Sequence, residues 1–261
     1  MRVLQEWGRK ERLFPPVIFS SAGTSAVLFV LGPHCEQGLP ALEPCVIFNK
    51  RSPRVRQGGD LCFPGGSIAP RLDAWLSRLL YLPFSPLSRW PYWTLWRRLN
   101  RHGARWLALL LATSLRESFE EMRLNPFGVT FLGSLPSFRL KMFDRVIYPM
   151  VGWIPRQRDF APNWEVAKVI YIPLRNLLEP DHYALYRLRI QSPSGTSPRE
   201  SMEDFPCFLH GEGDEREVLW GATFRIVMTF LELVFGFIPP APASLPVIHG
   251  SLDKNYVNGT G

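Results

Sequence analysis

Hydrophobic positions alternate between two kinds of stretch along this chain. Ser25–Leu31 (Ser-Ala-Val-Leu-Phe-Val-Leu) is a short, nearly continuous apolar run, and Cys45–Phe48 repeats it after a Gly- and Pro-bearing linker, Gly32–Pro44; both predict buried strands. A polar, proline-interrupted lead-in, residues 1–21, precedes them. Lys50–Asp60 then forms a basic, glycine-containing loop, and Leu61–Gly66 a short strand and turn. Helical periodicity takes over at about 74–82 and 93–115, with Pro83, Pro86 and Pro91 between the two pieces. It continues through Arg116–Leu124 until Asn125-Pro126 stops it. Further strands are expected at Val129–Leu135, Val146–Ile154, Lys168–Ile172, Tyr183–Ile190 and Phe205–Leu209, the last two separated by a Ser/Pro/Gly loop, Gln191–Ser201. A final amphipathic helix covers about 220–235, and the Pro/Gly-rich tail from Pro239 is expected to fray. Mixed helices and strands predict an α/β (α+β) protein with a mixed sheet and helices on its faces. One domain over 1–240 is expected, followed by a polar tail at 241–261.

Composition agrees with a globular chain: of 261 residues, 46% are hydrophobic and 20% charged, which excludes a disordered or fibrous protein. Cys35, Cys45, Cys62 and Cys207 form no Cys-x-x-Cys pair, so neither a zinc site nor a disulfide scaffold is expected, and a reducing compartment is. The longest apolar stretch, 226–240, is broken by Glu232 and falls short of the roughly 20 residues a spanning helix needs. With no signal-peptide pattern near Met1, the expected location is cytoplasmic.

The net charge of +7 favours anionic partners, and its distribution is uneven. Arg78, Arg89, Arg97, Arg98, Arg101 and Arg105 lie between residues 74 and 115 without one acidic residue, beside Trp75, Trp90, Trp93, Trp96 and Trp106. Such a segment could pack on the domain or dimerise it. It could instead meet a membrane surface, making the protein peripherally membrane-associated, or meet an acyl chain. Nucleic acid is not expected, since no nucleic-acid module is present.

The candidate chemistry sits on the helix that follows. Taking Glu117 as origin, Glu120 and Glu121 fall at about −60° and +40°, one arc of roughly 100°. Leu111, Leu115, Ser118, Phe119 and Met122 are expected on the opposite, buried face. Arg116 can bridge to Glu120, whereas Glu117 and Glu121 repel at i,i+4, a cost that a divalent cation would reverse. Carboxylate oxygens alone suit Mg²⁺ or Mn²⁺, which complete their shell with waters and phosphate oxygens.

Phe63-Pro-Gly-Gly66 followed by Arg116-Glu-x-x-Glu-Glu121 resembles the Nudix hydrolase box. The flanks resemble its coenzyme A diphosphatase branch: Asn49-Lys-Arg-Ser52 with Val55-Arg56, Pro162-Asn-Trp-Glu-Val-Ala167 leading into Ile172-Pro-Leu174, and Leu219-Trp-Gly-Ala-Thr-Phe-Arg225. The resemblance implies a Nudix-like α/β/α sandwich and a metal-dependent diphosphatase that cleaves coenzyme A or its acyl derivatives to 3′,5′-ADP and (acyl-)4′-phosphopantetheine. It places the metal on Glu117, Glu120, Glu121 and the carbonyl of Gly65, with Arg116 holding the carboxylates in register. The general base is either a box glutamate or an outside carboxylate, for which Glu165 is the candidate. Arg51, Ser52, Arg56 and Gly66 would meet the substrate.

This chain departs from the family pattern in four ways. An insertion at about 74–110, read as a helical hairpin, separates the two halves of the box. Arg123 replaces a glycine at its end. The acidic position of its first half is displaced or missing, with Asp73 the nearest candidate. The branch's His-x-Gly-Gln stretch is replaced by Gln57-Gly-Gly-Asp60. Another nucleoside diphosphate conjugate, or a catalytically weak nucleotide- or membrane-binding module, are the alternatives these departures support.

Overall fold

The computed structural model describes residues 23–34, 42–140, 145–192, 199–250, 252 and 256. The lead-in up to Ala22 and Cys35 lie outside them. The first sheet is built around β1 (Thr24–His34), which pairs antiparallel with β2 (Glu43–Arg51) and β4 (Gly65–Ser67) and parallel with β7 (Arg145–Trp153). β3 (Leu61–Cys62) and β8 (Val166–Pro173) join β2, while β5 (Thr130–Ser134) and β6 (Phe138–Leu140) join β7, all antiparallel.

Strand periodicity divides the core in two. Ala26, Leu28 and Val30 of β1, with Val146, Tyr148 and Met150 of β7, face one side of the sheet; Phe29, Leu31 and Val151 face the other. The first side is covered by α1 (Pro70–Leu79), α2 (Trp93–Leu99) and α3 (Arg101–Met122), through Leu107, Leu111, Leu115 and Met122. The second is covered by α5 (Gly221–Phe235), through Ile226, Val227, Phe230 and Leu231. A short α4 (Leu174–Leu177) follows β8. The result is the expected mixed α/β arrangement with helices on both faces. No described helix is long and apolar enough to cross a membrane.

A second sheet runs in the order β11 (Glu217–Leu219), β10 (Arg199–His210), β9 (Tyr183–Ser192), β12 (Val247–Gly250). It corrects two expectations. Gln191 and Ser192 pair with Glu200 and Arg199, so the β9–β10 hairpin reaches into the Ser/Pro/Gly segment. Val247–Gly250 does not fray but lies parallel to Leu185–Leu188 of β9.

The helical region also differs in detail. α1 begins at Pro70, whose fixed φ suits a first helical turn. The expected second piece is split at Asn100, whose side chain accepts from the Gly103 N–H at 2.8 Å and so starts α3. α3 closes at Arg123, left-handed at φ 56°, ahead of Asn125-Pro126. Phe119, expected in the core, is exposed, and the Arg123 guanidinium lies 5.1 Å from its ring centre.

Candidate functional site

The site forms where the last turns of α3 pass the β3–β4 turn and the end of β2. Glycine is required at Gly65, where a Cβ would overlap the Ala26 carbonyl and Val27, whereas a Cβ at Gly66 would meet the Glu117 carboxylate and displace that side chain. The Phe-Pro-Gly-Gly turn can therefore lie directly against both β1 and the carboxylate helix.

Arg116 organises three carboxylates. Its Nε donates to Asp73 Oδ1 at 2.7 Å, its Nη1 to Glu120 Oε2 at 2.9 Å, and its Nη2 stands 3.0 Å from Glu117 Oε1. Nη2 also reaches the Ser67 carbonyl at 3.2 Å. Burial opposes the guanidinium charge, but hydrogen bonding to Asp73 and the charges of Glu117, Asp73 and Glu120 prevail and hold its pKa above the ordinary value. Asp73 is fully buried and also accepts from the Thr113 hydroxyl and the Ala69 N–H. Asp73, on α1 at the near side of the insertion, is thus the buried acid that meets Arg116.

Glu121 is held differently. Its Oε2 accepts from Asn49 Nδ2 at 2.8 Å and its Oε1 from the Gly65 N–H at 3.4 Å. Burial is the main force that pushes its carboxyl up to about 7, with the Glu117 and Glu165 charges adding to it. Glu117 is also raised, by burial, against the lowering effect of Arg116. Asn49 itself is completely buried, and its Oδ1 has no hydrogen-bond partner.

Glu165 reaches the same place through backbone contacts. Ala161 and Asn163 donate to the carbonyls of Met122 and Glu121, tying the loop before β8 to the end of α3, and the Ser52 N–H donates to the Glu165 carbonyl at 2.8 Å. A narrow cleft results, bordered by Asn49, Arg51, Val55, Cys62, Glu121 and Glu165. Burial pushes the Cys62 thiol up to about 12, so it is an inert wall of the cleft.

The basic loop is anchored more than the sequence suggests. Lys50 pairs with Glu217 of β11 at 2.8 Å. Arg51 lines the cleft and donates from Nε to the Arg56 carbonyl, while the Arg56 side chain is exposed. Ser52 is buried, and its hydroxyl accepts from the Arg54 N–H. At the loop's end, the Asp60 carboxylate accepts from Trp220 Nε1 at 3.0 Å and from the Tyr256 hydroxyl at 2.5 Å, and the Gln57 N–H donates to the Tyr256 carbonyl at 2.7 Å. Tyr256 and Trp220 therefore hold the Gln57–Asp60 segment.

Glu117, Glu120, Glu121, Arg116, Gly65, Gly66 and Glu165 are thus brought to one end of α3. Asn49 and Tyr256 were not among the expected site residues, and Asp73 was expected only as the nearest candidate for a displaced acid. Asn49 had a signal in the sequence, a polar side chain at the end of the apolar run Cys45–Phe48. Tyr256, in a tail expected to fray, had none. Among the described residues, no three His, Cys, Asp or Glu side chains already stand in a metal-holding arrangement, because Arg116 occupies the space between Glu117 and Glu120. The donor types still fit Mg²⁺ or Mn²⁺: the oxygens are all carboxylate or carbonyl, and among the described residues the half-buried Glu121 has only neutral N–H donors against it.

No protein-family model matches the chain, and no curated protein matches it in sequence. Among solved structures, a Nudix hydrolase from M. smegmatis, RenU, aligns over 61% of this chain and 75% of its own, at 13% identity and TM-score 0.38. A C. elegans Ap4A hydrolase in a binary complex aligns over 59% and 83%, at 11% identity and TM-score 0.37. The NUDIX domain of Shewanella oneidensis NrtR, complexed with ADP ribose, aligns over 67% and 85%, at 13% identity and TM-score 0.34. Likeness at this level fixes neither a substrate nor the role of any residue.

Proposed function

We propose that this protein is a metal-dependent diphosphatase of the Nudix kind, hydrolysing coenzyme A or acyl-coenzyme A to 3′,5′-ADP and (acyl-)4′-phosphopantetheine. The observation that carries the reading is Glu121: a half-buried carboxylate that, among the described residues, has only neutral hydrogen-bond donors against it, on the same helix end as Glu117 and Glu120. Glu117, Glu120, Glu121 and the Gly65 carbonyl would hold Mg²⁺ or Mn²⁺, which when bound polarises phosphorus and acidifies water. Arg116 sets the orientation of Glu117 and Glu120, and Asn49 that of Glu121. Glu165, across the cleft, would accept the proton of the attacking water while one P–O bond to the bridging oxygen breaks. Arg51 and Arg56 would meet the substrate phosphates, Ser52 would hold the loop that carries them, and Gly66 gives the diphosphate room beside Glu117.

The anchoring of Gln57–Asp60 by Tyr256 and Trp220 favours a second reading, the same chemistry on another nucleoside diphosphate conjugate. Incubation with coenzyme A and Mg²⁺ or Mn²⁺, with products separated chromatographically, tests the first. Formation of 3′,5′-ADP by the wild type and not by Glu121→Gln is expected. Turnover of ADP-ribose or dinucleoside polyphosphates, with coenzyme A left intact, would transfer the assignment to the second.

A further inference from the structure

The insertion carries a surface that the diphosphatase reading does not use. On α1, Leu72, Trp75 and Leu79 fall within an arc of about 60°, with Arg71 and Arg78 alongside, while Asp73 and Leu76 point to the protein interior. Leu72 and Trp75 are 47% and 56% exposed. The helix runs into the turn Leu82-Pro83-Phe84, where Leu82 is 54% and Phe84 83% exposed. Phe84 also adopts φ 68°, a backbone state that a bulky side chain rarely takes.

This tip is braced rather than loose. The buried Ser85 hydroxyl donates to the Leu80 carbonyl at 2.6 Å and accepts from the Ser88 N–H at 3.0 Å. Leu87 is fully buried behind it, and Arg89 donates to the carbonyls of Phe127 and Val129, both at 2.8 Å. A rigid base thus holds an aromatic ring in water at a backbone conformation that costs free energy, which is the mark of a built feature. The same insertion supplies exposed Arg97, Arg98 and Arg101 and no acid between 74 and 115.

We propose that the insertion docks the protein on an anionic lipid surface, with Leu82 and Phe84 entering the interface, Trp75 at headgroup level and the arginines meeting lipid phosphates. Neither signal suffices alone; apolar entry and basic attraction together give stable peripheral binding. The contact is independent of the catalytic reading, since neither Phe84 nor the arginines named here touch the carboxylate site.

Vesicle sedimentation of the full chain tests it, comparing phosphatidylcholine alone with mixtures in which a third of the lipid is phosphatidylglycerol. The wild type should sediment with the anionic vesicles only, release as salt rises, and show a blue shift of tryptophan emission on binding. The Leu82→Ser/Phe84→Ser variant should lose about tenfold or more in partitioning while keeping the wild-type melting temperature and circular dichroism. Failure of the wild type to sediment, or equal sedimentation of the variant, would overturn the proposal. So would a vesicle-free dimer, seen by light scattering and abolished by the same two changes, because the surface would then belong to a second copy of the chain.

Discussion

Asp73 and Arg116 lie 43 positions apart and meet at 2.7 Å, one fully buried and the other nearly so. The insertion leaves from one partner's helix and returns to the other's, so the pair fixes where the insertion begins and ends relative to the carboxylates. Removing the acid would leave a guanidinium buried with fewer counter-charges. Asp73→Ala is expected to lower the unfolding free energy by about 3 kcal/mol, read from urea denaturation, and to reduce hydrolysis because Glu117 and Glu120 lose their register. An unchanged midpoint would show the pair to be dispensable.

Glu121 gives a pH signature. In the metal-free protein its carboxyl stands at about 7 against an ordinary value of 4.5, so the folded state holds its proton more tightly than the unfolded chain does. This contribution favours folding fully below pH 4.5, declines as pH rises towards 7, and is gone above it. With EDTA present, Glu121→Gln should therefore gain on the wild type by about 2–3 kcal/mol between pH 4.5 and 8. Parallel stability curves for the two proteins would contradict the account.

Gly66 is a steric prediction. A methyl group there collides with the Glu117 carboxylate, which must rotate away from the Gly-Gly turn. Gly66→Ala should lower kcat/KM on the order of 10–100-fold with little change in circular dichroism, since displacing a catalytic group by an ångström is enough. Wild-type kinetics in this variant would remove Glu117 from the site.

Tyr256 should matter although it lies five residues from the end of the chain. Tyr256→Phe leaves the half-buried Asp60 with one side-chain donor fewer, which is expected to cost about 1–2 kcal/mol. Because Gln57–Asp60 is the end of the basic loop, KM should rise more than kcat falls. Steady-state kinetics beside a thermal melt would separate the two effects.

Much of this was legible in the sequence where one force dominated. The apolar runs of β1 and β2 can only be buried, and the spacing of Glu117, Glu120 and Glu121 follows from helical pitch alone. Other features depended on partners distant in sequence. Asn100 interrupts a helical period without a proline, through a hydrogen bond to Gly103. Phe119 lies on the apolar side of the wheel yet is exposed, with the Arg123 guanidinium over its ring. Val247–Gly250 is too short to announce a strand and is ordered by the edge of β9. Asp73 was legible only as the nearest acid, and its pairing with Arg116 follows from the packing of α1 on α3.

The central claim is that Glu121, with Glu117 and Glu120, forms a divalent-cation site. Titrating the protein with Mn²⁺ while following the electron paramagnetic resonance signal of the free ion tests it without reference to any substrate. Saturable binding by the wild type is expected, weakened at least about tenfold in Glu121→Gln by the loss of a ligand carboxylate. Binding that is absent from the wild type, or undiminished in the variant, would contradict it.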